Sequence, residues 1–273
     1  MTEAEKLRIL IFGAHPDDCD STGGGVAALW SKAGHEVKMV ALTNGDAGHQ
    51  TEGGAALAWR RRKEAAASGA ALGCEYITLD NHDGGLTPSM DVRAEVVKII
   101  REFDPDVVTS PRVWDYHPDH RATGQVVMDA MYMSTVPNFV SDAPHLRKMP
   151  VGIYVYDHFQ RPYPFDPDIV VDISSVLEQK IDALGCHVSQ MYEWLPYNRR
   201  ELHLVPEGEE ERRAWLGELY HGRAGRMVEM YKDLIVARYG ADRAAQVTAV
   251  EAFEGSEYGS PLTEENMGVL FPF

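Results

Sequence analysis

Two short stretches carry residue types that bind and activate metal ions: Ala14-His15-Pro16-Asp17-Asp18 and His117-Pro118-Asp119-His120. A hydrolytic zinc site uses three protein ligands and keeps a fourth position open for water. His15, Asp18 and His120 would supply two imidazoles and one carboxylate. Zn²⁺ would then keep a net positive charge, which draws the pKa of its water from about 15.7 toward about 7. Adjacent residues in an extended turn point in different directions, so Asp17 and Asp18 do not both ligate. Asp18 is assigned to the metal and Asp17 to the water, as general base. Pro118 fits the first turn of a helix starting at His117, where its missing N–H costs nothing. His117 and His120 are then neighbours at i, i+3 spacing, and one can ligate while the other faces the substrate. Asp119 beside them can hold an imidazole tautomer. Each stretch alone has an ordinary explanation, a solvated helix face for the histidines and a helix start for the aspartates. Their joint placement is what points to a site.

That placement depends on strands. The run 7–13 (LRILIFG) is short, β-branched and bounded by Gly13 and Pro16, which favours a buried strand. The run 106–110 (DVVTS) ends a few residues before His117. In open α/β sheets ligands bind outside the carboxyl ends of the strands, so both clusters fall on one rim. Further strands are expected at 36–43, 75–79, 152–157 and 168–173. Helices are expected from Val26 to a stop at Gly34, following the glycine run 21–25, at 56–72, from Asp91 as cap to Phe103, from His117 onward, and from Ser174 or Ser175 through His187. The glycine run lacks both Gly-x-Gly-x-x-Gly and Gly-Lys-Ser/Thr, which argues against a nucleotide loop. Alternating strands and helices imply parallel units with right-handed crossovers. The expected class is α/β, a Rossmann-like, mainly parallel sheet flanked by helices, with a C-terminal helical and strand extension.

The sequence resembles the PIG-L/LmbE family of zinc-dependent N-acetylglucosaminyl deacetylases. The likeness is carried by AHPDD followed by Gly23-Gly24, by HPDH, by Thr43-Asn44-Gly45-Asp46-Ala47-Gly48, and by Arg61-x-x-Glu64-Ala65. It continues in Asp83-Gly84-Gly85-Leu86, in Pro105-Asp106-Val107-Val108, and in Asp172-Ile173-Ser174 with Lys180, His187, Ser189 and Gln190. It spans residues 7–195. It implies His15, Asp18 and His120 as metal ligands, Asp17 as general base, His117 as the electrostatic or acid histidine with Asp119 orienting, and Arg61 and Asp83 as sugar contacts. Cys19-Asp20, where many members have Glu-Glu, and Pro137-Asn138-Phe139 look more like the diacetylchitobiose deacetylase branch, which forms oligomers. The tail after Trp194 matches that branch poorly. The implied reaction is hydrolysis of the acetamide of an N-acetylglucosamine-type sugar or conjugate. The rivals are hydrolysis of another small amide or a thiol-sugar conjugate, and a catalytically silent sugar-binding protein of the same fold.

The chain's 273 residues and 44% hydrophobic content allow a large core. We expect a core at 1–195 and an extension at 196–273, packed on the core or on a neighbouring subunit. A net charge of −16 repels nucleic-acid backbones and anionic membranes, leaving small amino sugars as the expected partners. The start has no basic and apolar leader pattern, and no stretch reaches the roughly 18 apolar residues of a spanning helix, so a cytoplasmic protein is expected. Cys19, Cys74 and Cys186 lack Cys-x-x-Cys spacing and read as reduced thiols. Among the secondary candidates, His82 is a decoy for a ligand and His187 packs structurally. Arg60, Arg62 and Lys63 form a solvated face, and the segment 48–54 is either a loop beside the site or a plain connection. Residues 161–165 pack on the surface or wall a sugar. The stripe Trp215, Leu216, Leu219, Tyr220, Met227, Met230, Tyr231 and Leu234 on one long helix reads as core or as a homo-oligomer interface.

Overall fold

The computed structural model describes residues 6–273, so the leader reading of residues 1–5 lies outside the described residues. The chain runs β1 (Arg8–Gly13), α1 (Asp18–Lys32), β2 (Glu36–Thr43), α2 (Gly54–Leu72), β3 (Glu75–Asn81), α3 (Met90–Phe103), β4 (Val107–Ser110), α4 (Pro118–Met133), β5 (Val151–Val155) and β6 (Ile169–Asp172). There follow α5 (Leu177–Gly185), a π-helical segment Ser189–Trp194, α6 (Leu195–Asn198), α7 (Glu209–Met230), α8 (Lys232–Tyr239), α9 (Ala241–Ala244), β7 (Val250–Gly255) and α10 (Glu264–Leu270). One sheet holds the strands in the order β3-β2-β1-β4-β5-β7-β6. The first five are parallel, and β7 is antiparallel to both neighbours. Strand order reverses between β1 and β4, and it is beyond such a reversal that open α/β sheets bind ligands.

Successive strand side chains alternate between faces. Ile9 and Ile11 join Val26, Ala27 and Trp30 of α1 and Ile181 and Leu184 of α5 on one side. Leu10 and Phe12 join Val96, Val97 and Ile100 of α3 and Val126, Val127 and Ala130 of α4 on the other. Both faces of the sheet are covered, which is why its strands are continuous apolar runs rather than alternating ones.

Several boundaries differ from expectation. α1 begins at Asp18 rather than at 26, and the glycine run lies inside it. A Cβ on Gly25 would sit 2.7 Å from Ile173 Cδ1, so the helix needs glycine there to lie against the strand-end loop. A buried ion pair also wedges into this helix. Lys180 Nζ donates to Ser21 O at 2.8 Å and to Glu251 Oε1 at 2.6 Å, while the Glu251 carboxylate accepts from the N–H groups of Gly25 and Val26, each at 2.8 Å. α3 is capped by Ser89, whose side chain accepts from Val92 N, so Asp91 sits in the first turn and is not the cap. The helix expected from Ser174 or Ser175 through His187 is instead a short 3-10 turn, α5, and then the π-helical segment.

The extension is only partly what its apolar residues suggest. β7 enters the sheet between β5 and β6, with Phe253 fully buried. The apolar end docks on this chain's own α1: Phe271 packs 5.2 Å from the Trp30 ring, and Trp30 Nε1 donates to Leu270 O at 2.7 Å. The long helix breaks at Tyr231. Its stripe divides there, with Leu216 and Tyr220 buried but Met230 59% exposed. The loop bordering α4 is organised by Arg101, whose guanidinium donates to the carbonyls of Met133, Ser134, Val136, Val140 and Ala143. No helix among the described residues is long and apolar enough to cross a membrane.

Candidate metal centre

β1 delivers His15 to the rim, and the chain turns at once into α1. The Asp18 side chain folds back over that turn, Oδ2 accepting from Ala14 N at 3.0 Å and His15 N at 2.8 Å. β4 delivers His117 as the N-cap of α4, with Pro118 at its first position as expected. His120 follows one turn in. His15 Nδ1 and His120 Nε2 lie 3.2 Å apart, His15 Nδ1 and Asp18 Oδ2 3.4 Å, and His120 Nε2 and Asp18 Oδ2 3.3 Å. A tetrahedral ion with ligands at about 2.0–2.1 Å requires ligand atoms about 3.3 Å apart. The two-nitrogen, one-oxygen set therefore fits zinc without rearrangement.

The far nitrogens of both rings are held by carboxylates. His15 Nε2 lies 3.2 Å from Asp119 Oδ2 and 3.1 Å from Asp83 Oδ1, and His120 Nδ1 lies 3.2 Å from Asp115 Oδ2. Such contacts fix the tautomer that leaves the other nitrogen free for a cation. His15 Nε2, Asp83 and Asp119 also form a compact donor group. Asp119, however, is fully buried and already accepts from Gly84 N at 2.6 Å and Leu86 N at 3.1 Å, so this group acts as a hydrogen-bond cradle for the ring. His117 Nδ1 accepts from Asp119 N at 3.2 Å, which leaves Nε2 to carry the proton of the neutral ring. The His117 ring stands edge-on to His15 at 4.6 Å.

The charges agree with this division. Burial opposes charging of His120, but Asp18 and Asp115 outweigh it and the imidazole is pushed up to about 10. His15 is likewise buried, and Asp119, Asp18 and Asp83 together raise it well above its ordinary value. Asp18 is pushed up by burial, yet His120 and His15 hold its carboxyl well below the usual range. Surroundings that attract protons this strongly also attract a divalent cation. Asp17 behaves oppositely: burial, reinforced by Asp18, raises its carboxyl even though Arg61 pulls the other way. Arg61 Nη2 reaches Asp17 Oδ1 at 3.2 Å, and its Nη1 lies 3.6 Å from Asp83 Oδ2. Gly45, at φ 69°, and Gly48 lie so close to this guanidinium that a Cβ on either would meet it within 3 Å.

All eight expected site residues thus gather at one rim, while His82 stays outside, its Nδ1 bonded to Asp46 at 2.8 Å. The sequence reading overlooked Asp115. Its signal is an aspartate two residues before the second histidine stretch, where Oδ1 accepts His117 N at 2.8 Å and so builds the turn that brings Oδ2 to His120. Arg60 is not a solvated side chain: it pairs with Glu193 at 2.7 Å and Glu52 at 2.9 Å. Glu193 also holds His49 at 2.8 Å, and Gln190 Nε2 donates to Gly48 O at 3.0 Å, so the segment 48–54 is tied beside the site. His187 is fully buried against Asp20, Nε2 to Oδ2 at 2.6 Å, which matches its structural reading. Tyr163 and Phe165 stack on the Arg112 guanidinium, at 5.1 and 5.5 Å. The cysteines are free thiols. A cavity of about 580 Å³ opens from Asp18 and His120 toward α7, past Phe12, Tyr116, Tyr156 and Phe159.

The model of the PIG-L family, GlcNAc-PI de-N-acetylase, matches residues 10–131, which span both histidine stretches. The chain is 36% identical over 210 residues to diacetylchitobiose deacetylase of Thermococcus kodakarensis, covering 70% of this chain and 75% of the relative. It is 26% identical over 204 residues to 4-oxalmesaconate hydratase of Pseudomonas putida, covering 70% and 76%. The structure of N,N'-diacetylchitobiose deacetylase from Pyrococcus horikoshii superposes with a TM-score of 0.70 at 27% identity, covering 92% of this chain and 84% of that one. With a relative this similar over most of both chains, and with the family's signature on the observed rim, the chain belongs to the PIG-L family of de-N-acetylases.

Proposed function

We propose that the protein removes the acetyl group from the 2-acetamido nitrogen of an N-acetylglucosamine-type sugar or conjugate by hydrolysis, releasing acetate and the free amine. The observation that carries this reading is the triangle of His15 Nδ1, Asp18 Oδ2 and His120 Nε2 with the separately held carboxylate of Asp17 beside it. His15, Asp18 and His120 would hold Zn²⁺, which when bound supplies a Lewis acid for the acetyl oxygen and lowers the pKa of water. Asp17 accepts the proton of the attacking water, and Arg61 fixes its carboxylate. His117 donates a hydrogen bond from its Nε2–H to the oxygen that gains charge as the carbon becomes tetrahedral, and keeps that proton. The C–N bond then breaks and the amine takes a proton, from Asp17 or from His117. Asp119 and Asp115 keep the two metal-side rings in position, and Arg61 and Asp83 border the sugar.

The similarity to deacetylases named for diacetylchitobiose and for N-acetyl-alpha-D-glucosaminyl L-malate supports the substrate class. The relative named as a hydratase shows that similar sequences serve another reaction. The deciding measurement is acetate released from N-acetylglucosamine and its disaccharides, set against bound metal. Sugar binding without acetate release in zinc-loaded protein would refute the reading and favour a silent binding protein. Release from other amides or thiol-sugar conjugates alone would move the substrate class. The same proposal takes the enzyme as cytoplasmic, consistent with its free thiols, and as a homo-oligomer that covers the exposed end of the α7 stripe. A monomeric mass by light scattering would count against the assembly.

A further inference from the structure

We propose that the α7 end of the cavity is an anion subsite, in which Arg223 and Arg226 select amino-sugar substrates whose aglycone carries a carboxylate or phosphate. The inference rests on the de-N-acetylation reading above. The cavity reaches from Asp18 and His120 at one end to α7 at the other, and its volume of about 580 Å³ exceeds the need of a single acetamido sugar. That leaves room beside a sugar for a further group.

The charges along the cavity show what. Asp18 and Asp115 both face His120, at 3.3 and 3.2 Å. Asp157 is held by Arg112 at 2.6 Å, and Glu251 by Lys180 at 2.6 Å. Each of these lining charges is matched. Arg223 and Arg226 also line the cavity, and neither has a carboxylate within ion-pair distance among the described residues. In a chain of net charge −16, acidic partners are abundant, yet these two guanidiniums are left without one. They lie three residues apart on α7, so they project from one face of the helix. The Arg223 guanidinium is steadied 4.8 Å over the ring of the buried Tyr220. A planar guanidinium with free donors matches the paired oxygens of a carboxylate or phosphate. Tyr156, Phe159 and Met227 line the same cavity and present apolar surface. The fitting ligand is therefore an N-acetylated amino sugar joined to an apolar, best aromatic, group that ends in an anion.

The test uses the zinc-loaded full chain and three N-acetylglucosaminides that differ only at the end of the aglycone: 4-carboxyphenyl, 4-phosphophenyl and the neutral 4-carbamoylphenyl. The expected result is a kcat/KM for at least one anionic substrate about tenfold or more above that for the neutral one, declining as salt is added. The preferred anion identifies the natural group. In Arg223→Gln/Arg226→Gln the anionic-to-neutral ratio should fall to about one, whereas Arg223→Lys/Arg226→Lys should keep part of the preference. A ratio near one in the wild type, or one that the double glutamine variant leaves unchanged, overturns the subsite. Calorimetric binding of the corresponding 2-amino-2-deoxyglucosides, which have no acetamide, separates the two proposals. If no acetamide is hydrolysed but the acid still binds better than its amide through these arginines, the hydrolase reading fails and the subsite stands.

Discussion

Replacing Asp17 by Asn should separate catalysis from stability in opposite directions. The Asn side chain keeps an oxygen for Arg61 Nη2, now 3.2 Å from Asp17 Oδ1, and Arg61 retains Gly45 O as a further acceptor at 3.2 Å. The substitution therefore breaks no packing. It removes a rim carboxylate that is neither in the metal triangle nor bonded to a histidine, its partner being Arg61. Loss of a general base costs about 10²- to 10⁴-fold, equal to roughly 3–5 kcal/mol of barrier. The folded state, in contrast, disfavours charge on Asp17, chiefly through burial and also through the neighbouring Asp18. A neutral side chain relieves that penalty, so the melting temperature should hold or rise. Each kcal/mol regained would appear as about 2–4 °C in a chain of this size. Steady-state acetate release, elemental zinc content and calorimetric melting on the same preparation give the three readouts. The acidic limb of the rate profile should vanish from the residual activity. If Asp17→Asn loses its zinc while Asp18→Asn stays loaded and active, the roles are reversed. A loss smaller than about tenfold with zinc retained would remove Asp17 from proton transfer.

Other outcomes follow from the same geometry. Asp115→Asn should weaken zinc binding by about 10- to 100-fold, as expected when the carboxylate behind a ligating histidine is lost, and chelator competition would measure it. Zinc loading of metal-free protein at pH 7 should release at least one proton, because His120, pushed up to about 10 by Asp18 and Asp115 against burial, is charged before the ion arrives. A pH-stat titration with no release would contradict this. His187 is raised from its ordinary value despite burial, because Asp20 faces it. Its folded pKa then exceeds its unfolded one, so its contribution to stability is complete below about pH 6.5 and is lost as pH rises through the folded value. The stability gap between wild type and His187→Gln in denaturant titrations should narrow from pH 6 upward, and a gap that widens would refute the assignment.

The rim was legible in the sequence because it depends on local patterns: an apolar run ending in glycine, then histidine and paired aspartates. The same holds for His117-Pro118, where helix capping places the histidine and proline whatever the rest of the fold does. What could not be read depends on distant partners. Nothing near residue 25 announces that α1 continues through its glycines, since the cause is Ile173. Asp115 resembles any turn aspartate until Oδ2 is seen on His120. β7 reads only as an apolar tail because its register is set by β5 and β6, which precede it by many residues. The α7 stripe shows helical periodicity, but periodicity alone does not say where the neighbouring element stops covering it.

The Glu251 wedge has a consequence for how the site comes into being. The helix whose first residue is Asp18 is clasped at Gly25 by a carboxylate 226 residues beyond that glycine, on the last strand of the sheet in sequence order. On a ribosome, both histidine stretches emerge long before this clasp exists. Until β7 slots between β5 and β6, the N–H groups of Gly25 and Val26 are without the carboxylate that accepts from them in the finished fold. On the proposed reading of the site, the nascent chain displays the candidate ligands without the rigid triangle, and acquisition of an ion belongs to the finished chain. A chain cut before Val250 should lose its zinc although every ligand remains, and chaperone-held, unfinished chains should not compete for the cell's zinc.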